Sequence, residues 1–159
     1  MIFRSKDKHK HIGIFQIWEI DKYKKTKKQI EEIHNLITNV CLEAEAKIFM
    51  GYAPNMQIEY IALGDDNTAV AATDTTLTNE VFRTNYVSQT YSATGIVTTE
   101  FYITDTAANG EDIQELGVFA GNTANDTVDT GSLISHVLWN YGTKSSGIEF
   151  LIRRIDTIS

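Results

Sequence analysis

The sequence predicts a mainly β protein: an antiparallel β-sandwich or jelly-roll-like domain with one packed α-helix at about residues 39–50. Three observations lead there. Beyond the helical stretch, nearly every apolar run is short, rich in Thr, Val, Ile, Tyr and Phe, and bounded by turn residues. Only TNVCLEAEAKIFMG repeats its apolar residues at helical spacing. The 159 residues suit one domain, with no composition break that reads as a linker and no repeat at about 20–50 residues.

Residues 1–11 are polar and basic in texture and read as an N-terminal arm, followed by a single domain over 12–159. HIGIFQIWEI alternates, with Ile12, Ile14, Gln16, Trp18 and Ile20 on one face and Gly13, Phe15, Ile17 and Glu19 on the other. Apolar groups on both faces predict a strand covered on both sides. DKYKKTKK reads as a turn, and QIEEIHNLI resumes extended structure. In the helical segment, Thr38 or Asn39 can accept a hydrogen bond from a free helix N–H. Val40, Cys41, Ala44, Ile48 and Phe49 recur at helical spacing, and Ala and Glu favour the interior. Gly51 suits the left-handed residue that ends a helix, and Pro54 stops continuation.

QIEYIALG is a strand ending at Gly64. DDNTAVAATDTTLTNE is a polar connection, whose TLTNEVF portion is expected to form a short helical turn. NYVSQTYS and IVTTEFYIT flank ATG as a hairpin. In DTAANGEDIQELGVF, Asn109-Gly110 can supply the two positive-φ residues of a tight hairpin turn. The broken alternation from Ile113 to Leu116 predicts a bulge near Gln114 and Glu115. Strands at ELGVFAG, SLISHVLWNY and GIEFLIRRI complete a set of seven or eight.

Composition narrows the function. No run approaches the ~18 apolar residues of a membrane span, so no membrane partner is expected. The first residues lack the apolar stretch and cleavage site of a signal peptide, so folding in a cytoplasm is expected. Cys41 is the sole cysteine, which excludes an internal disulfide and a cysteine-based zinc site. It reads as a small buried residue, with a reactive thiol as the alternative. Residues 1–50 carry ten Lys/Arg against seven Asp/Glu, and residues 51–159 four against fourteen. Much of the basic charge sits in Lys22, Lys24, Lys25, Lys27 and Lys28, interrupted among aromatics only by Tyr23. Nucleic-acid modules pair basic stripes with stacking aromatics or a reading helix, so direct nucleic-acid binding is not expected. A solvated hairpin tip is the favoured reading, and contact with an acidic neighbouring surface its rival.

Candidate chemistry is thin. His9 and His11 would share one side of a strand and could hold a metal, but no third ligand is assignable. His34 and His136 read as structural, and no Ser/His/Asp order can be assembled. Asp65, Asp66 and Asn67, like Asp126 and Asp129, lie in turn-rich loops without the spacing of a calcium loop. No phosphate loop or dinucleotide fingerprint appears. A non-enzymatic protein is expected, with no catalytic, cofactor-binding or metal residues and no cofactor. Glu80 and Arg83, three apart, are the candidate structural ion pair. If Glu115 points inward it needs a donor, and Arg83 is the expected one.

The order of segments resembles small structural proteins of tailed bacteriophages, associated with tail, collar or fibre. IFQIWEIDKYKKTKKQIEEIHNLITNVCLEAEAKIFMG is similar to their opening, a strand hairpin leading through NLIT to a capped helix. IEYIALGDDNTAVAATDTTLTNEVFR resembles their next block, with Leu77, Asn79, Glu80 and Arg83 at its end. TTEFYITDTAANGEDIQELGVFAG resembles a hairpin they share with tail-fibre and tail-collar proteins, through Ile113, Glu115, Gly117 and Phe119. SLISHVLWNYGTKSSGIEFLIRRI fits their final hairpin, so the resemblance spans roughly residues 12–155. It implies a virion structural protein made in the host bacterial cytoplasm and placed at the tail, collar or fibre-attachment region. Its partners would be other virion proteins and copies of itself, as a homo-oligomer or ring component. The lysine tip and an aromatic cluster of Tyr86, Tyr91, Phe101 and Tyr102 are the candidate contact surfaces. The alternatives are a receptor- or carbohydrate-binding module of a tail fibre and a capsid decoration or head-fibre protein. A carbohydrate site would expose Trp or Tyr on one face, whereas Trp18 and Trp139 lie in apolar strands and are expected in the core.

Overall fold

The computed structural model describes residues 10–159. Among them are strands β1 (His11–Asp21), β2 (Thr26–His34), β3 (Leu36–Ile37), β4 (Ile58–Gly64) and β5 (Glu80–Ala93). Strands β6 (Ile96–Ile103), β7 (Asp112–Ala120), β8 (Ser132–Thr143) and β9 (Ile148–Ile158) follow, and helix α1 (Asn39–Phe49) lies between β3 and β4. The strands form one antiparallel sheet, in the order β2-β1-β9-β6-β5-β4-β7-β8-β3, nearly closed into a barrel. The two outermost strands, β2 and β3, are sequence neighbours separated by Asn35. The Asn35 N–H donates to the Gly13 carbonyl (3.1 Å), so this one segment holds both ends of the sheet. A Cβ at Gly13 would overlap the Asn35 carboxamide, which would have to shift to admit a larger residue there. Strand β5 turns the corner, pairing with β4 over residues up to Asn85 and with β6 from Tyr86 onward.

The inward faces explain the closure. Phe15 and Ile17, Phe101 and Ile103, and Phe150 and Ile152 project from β1, β6 and β9 into one core. Ile61, Leu63, Val118 and Trp139 meet them from the other wall. Each such side chain contributes about 1.5–3 kcal/mol by leaving water. A smaller cluster of Ala62, Leu77, Phe119 and Leu133 lies on the opposite face of β4 and β7, with Leu77 supplied by the 65–79 crossing.

Thr38 caps α1: its Oγ1 accepts from the Cys41 N–H (3.4 Å) and donates to the Leu133 carbonyl (2.6 Å). Met50 closes the helix and Gly51 follows at φ +84°. Only Cys41 and Ala44 of the helix are buried, whereas Ile48 and Phe49 of the expected apolar face are exposed. The helix crosses one end of the barrel, where two small residues fill the contact.

Several expectations change. Lys10 exchanges backbone hydrogen bonds with Ser159 (2.7 and 3.0 Å) and His11 begins β1, so the sheet takes in the end of the expected arm. Residues 1–9, including His9, lie outside the described residues. The lysine turn is only Lys22–Lys25, with Lys27 and Lys28 inside β2. TLTNEVF forms no helical turn, because β5 already begins at Glu80. Trp139 is core, but Trp18 lies half-buried on the outer face, with the Arg153 guanidinium 5.0 Å from its ring centroid and the Lys27 ammonium 5.9 Å.

The largest correction concerns Asn109-Gly110. Strands β6 and β7 do not pair with each other: β6 lies between β5 and β9, and β7 between β4 and β8. The 104–111 segment is therefore a crossing between walls rather than a hairpin turn. Positive φ falls at Ala108 (53°) and Gly110 (85°). The loop is claimed by the turn between β8 and β9. Gly110 N–H donates to the Lys144 carbonyl (2.9 Å), Lys144 N–H donates to the Glu111 carbonyl (3.0 Å), and Lys144 Nζ donates to Asn109 Oδ1 (2.8 Å). The expected bulge is present, as a register shift between Ile113 and Glu115 opposite β8.

Candidate functional site

Along its inward face β9 reads Phe150, Ile152, Arg154 and Asp156, apolar at one end and charged at the other. The charged end needs partners, because an unpaired buried charge is costly. Strand β1 supplies His11 on its own inward face, two residues before Gly13. Helix α1 lays Cys41 and Glu45 over them, four residues apart and so on one helix face.

The cluster is tightly bonded. Arg154 Nε donates to Asp156 Oδ2 (2.8 Å), Nη2 to Oδ1 (2.6 Å), and Nη1 to Ser135 Oγ (2.6 Å). His11 Nε2 donates to Asp156 Oδ1 (2.8 Å) and Nδ1 to Glu45 Oε1 (2.5 Å). Cys41 Sγ lies 3.9 Å from His11 Nδ1 and 3.8 Å from Glu45 Oε1. Burial pulls the His11 imidazole down, but Asp156 and Cys41 outweigh it and push its pKa up to about 10. Burial likewise raises Asp156, and Arg154 and His11 more than reverse it, holding the carboxyl below its ordinary range. Beside the cluster is a cavity of about 290 Å³, lined on its apolar side by Ala44, Ile48, Met56, Ile58, Val97 and Ile134.

A Cys–His pair suggests nucleophilic chemistry, but in this arrangement His11 is not set to act as the general base. Both His11 nitrogens already donate to carboxylates, so the ring has no lone pair with which to take the thiol proton. What the arrangement offers instead is three ligand atoms of different kinds, converging within 4.8 Å of one another. In the sequence Cys41 reads as a small buried residue, and no local pattern connects it with Glu45, Arg154 or Asp156. One signal was available: strand alternation puts Arg154 and Asp156 on the same face as Phe150 and Ile152, two charges where apolar residues are due.

A second buried network replaces the expected Arg83–Glu115 contact. Glu115 is fully buried, and its carboxylate accepts from His136 Nε2 (2.6 Å) and from the N–H groups of Thr78 (3.2 Å) and Asn79 (2.9 Å). His136 Nδ1 donates to Asp74 Oδ2 (2.8 Å), tying the 65–79 crossing to the sheet. Arg83 instead grips Glu80 through two bonds (2.5 and 2.7 Å) and donates to the Asn125 and Thr130 carbonyls (2.8 and 3.1 Å). Its guanidinium carbon sits 4.6 Å from the Phe119 ring centroid. The bulge in β7 turns Glu115 toward the crossing, while Arg83, on β5, reaches the 121–131 loop.

The candidate contact residues divide. Lys22, Lys24, Lys25, Lys27 and Lys28 are all exposed, with Lys22 bonded to Asp105 (3.1 Å) and Lys24 to Asp21 (3.0 Å). The aromatic cluster does not exist as a surface. Phe101 is core, Tyr102 faces outward and donates to Glu149, and Tyr86 packs against the core while its hydroxyl accepts from Gln57 (3.1 Å). Tyr91 alone of the four is strongly exposed, at 69%. Adjacent strand residues point to opposite faces, which separates Phe101 from Tyr102.

Among the described residues no helix is long and apolar enough to cross a membrane. Compared with protein-family models, curated proteins and solved structures, the chain gives no match.

Proposed function

We propose that this chain is a non-enzymatic structural subunit that assembles with copies of itself. The observation that carries the reading is the apolar surface at the end of α1. Ile48, Met50 and Tyr52 are 57%, 73% and 62% exposed within five residues. Concentrated exposure of this kind marks contact surfaces. Charge favours a second copy as the occupant. Exposed Lys24, Lys25, Lys27 and Lys28 sit on a chain whose residues 51–159 carry a formal −10. The basic tip of one copy against exposed carboxylates of the next, such as Asp65, Asp112, Asp126 and Asp129, is a contact between different surfaces, which closes into a ring when the rotation allows. The order of segments, which resembles that of small tailed-phage structural proteins, supports a role for such a subunit in a virion, at the tail, collar or fibre-attachment region, beside other virion proteins.

Light scattering on the full chain over a concentration series tests the assembly. A molar mass rising to a whole multiple of the chain is expected, and a combined Met50→Asp, Tyr52→Asp variant should remain at the single-chain mass. A wild-type chain that stays monomeric at every concentration removes the reading. Labelling of purified phage particles with an antibody to this chain tests the virion placement.

A further inference from the structure

We propose that His11 Nδ1, Cys41 Sγ and Glu45 Oε1 bind one divalent transition-metal ion of the zinc class, bridging strand β1 to helix α1. The inference stands on the geometry of the barrel end and does not depend on the assembly reading. Zinc–sulfur and zinc–nitrogen bonds of about 2.3 and 2.0 Å at a tetrahedral angle place S and N roughly 3.5 Å apart, and S and O about the same. The observed separations are 3.9 and 3.8 Å. The remaining pair, His11 Nδ1 and Glu45 Oε1, is drawn together to 2.5 Å by its hydrogen bond. Coordination needs about 3.3 Å there, a retreat of about 0.8 Å that rotations along the Glu45 side chain can supply.

The surroundings already do what a metal site requires. His ligands usually donate their second ring N–H to a carboxylate, which fixes the tautomer and the ring plane. Here Asp156 accepts from Nε2 (2.8 Å) and is itself locked by Arg154, leaving Nδ1 to face the helix. Cys41 and Glu45 project from one face of a capped helix, so their backbone positions are fixed relative to each other. The adjoining cavity leaves room for a water or anion at the fourth position. Thiolate with imidazole favours zinc, cobalt and their neighbours over magnesium or calcium.

Charge balances across the step. Without the ion, an imidazolium with a proton on each nitrogen faces two carboxylates and a thiol. With it, one divalent ion enters and two protons leave, from His11 Nδ1 and Cys41 Sγ. The buried cluster, counting Arg154, keeps the same net charge. The site differs from the His9–His11 pair weighed in the sequence: it keeps His11 alone of the two, and the fold brings Cys41 and Glu45 to it.

The test is cobalt titration of the full chain carrying no polyhistidine tag. One equivalent should bind and produce an intense near-ultraviolet thiolate-to-cobalt absorption band, bleached by equimolar zinc and unaffected by excess magnesium. Cys41 is the sole cysteine, so that band has a single possible source. Asp156→Asn should retain the band and weaken cobalt binding about 10–100-fold. Glu45→Gln, on the exposed side of the site, should weaken it at least about tenfold. Absence of the band at saturating cobalt in the folded wild-type chain overturns the proposal, as does wild-type affinity in Glu45→Gln.

Discussion

Replacing His136 with Ala tests how the crossing over β7 and β8 is held. The ring is 1% exposed and donates to two carboxylates, Asp74 and Glu115. Removing one partner of a buried charged pair costs about 3–5 kcal/mol, because the other charge is left behind. Glu115 keeps the Thr78 and Asn79 N–H groups, so the loss should sit near the lower end, about 3 kcal/mol. For a domain of this size that lowers the melting midpoint by about 6–12 °C. The pH dependence separates this mechanism from simple cavity formation. Burial pulls His136 down, but Glu115 and Asp74 outweigh it and raise its pKa above the ordinary 6.5. Its contribution is therefore complete below that value and is lost as pH climbs through the folded pKa. Burial pushes Glu115 up, but His136 and the two backbone donors bring it below the ordinary 4.5, so its contribution is lost as pH falls through the folded value. Urea unfolding of both proteins at about pH 5.5 and about pH 8.5 measures the difference. The gap between wild type and variant should be widest at the lower pH and narrow at the higher. A gap under about 1 kcal/mol, or one unchanged between the two pH values, refutes the reasoning.

Arg83→Met should cost about 3–5 kcal/mol by stranding the buried Glu80 carboxylate, and should speed amide exchange across residues 121–131 before any other segment. Gly64→Ala should cost about 1–3 kcal/mol in urea unfolding, because its Cβ would meet the Asn79 carbonyl oxygen at 2.7 Å as well as the Glu115 side chain. Phe101→Ala should lose about 3–5 kcal/mol, whereas Tyr91→Ser should change stability by no more than about 0.5 kcal/mol. Equal losses at Phe101 and Tyr91 would contradict their assignment to the inner and outer faces.

Both networks illustrate what a linear reading misses. In the sequence Glu115 is the carboxylate that needs a donor if it points inward, and Arg83 and His136 are equally available to it. The choice came from the bulge between Ile113 and Glu115, which sets which side of β7 the carboxylate meets. In Asn109-Gly110 the local turn preference was real, yet Lys144 and its backbone captured the loop. Phe101 and Tyr102 looked like one aromatic surface, although strand alternation alone sends them to opposite faces.

By itself, the sequence determined the β class, the helix from its Thr38 cap to Gly51, the Thr94-Gly95 hairpin and the bulge before Leu116. These depend on caps, turn residues and periodicity within a few neighbouring residues, which a chain carries locally. The tertiary structure alone decided that β6 joins β9 rather than β7, and that His11 meets Cys41, Glu45 and Asp156. Those contacts join residues 30 to 145 positions apart. They follow from burying the apolar faces of nine strands in one closing sheet, a constraint that no single segment contains.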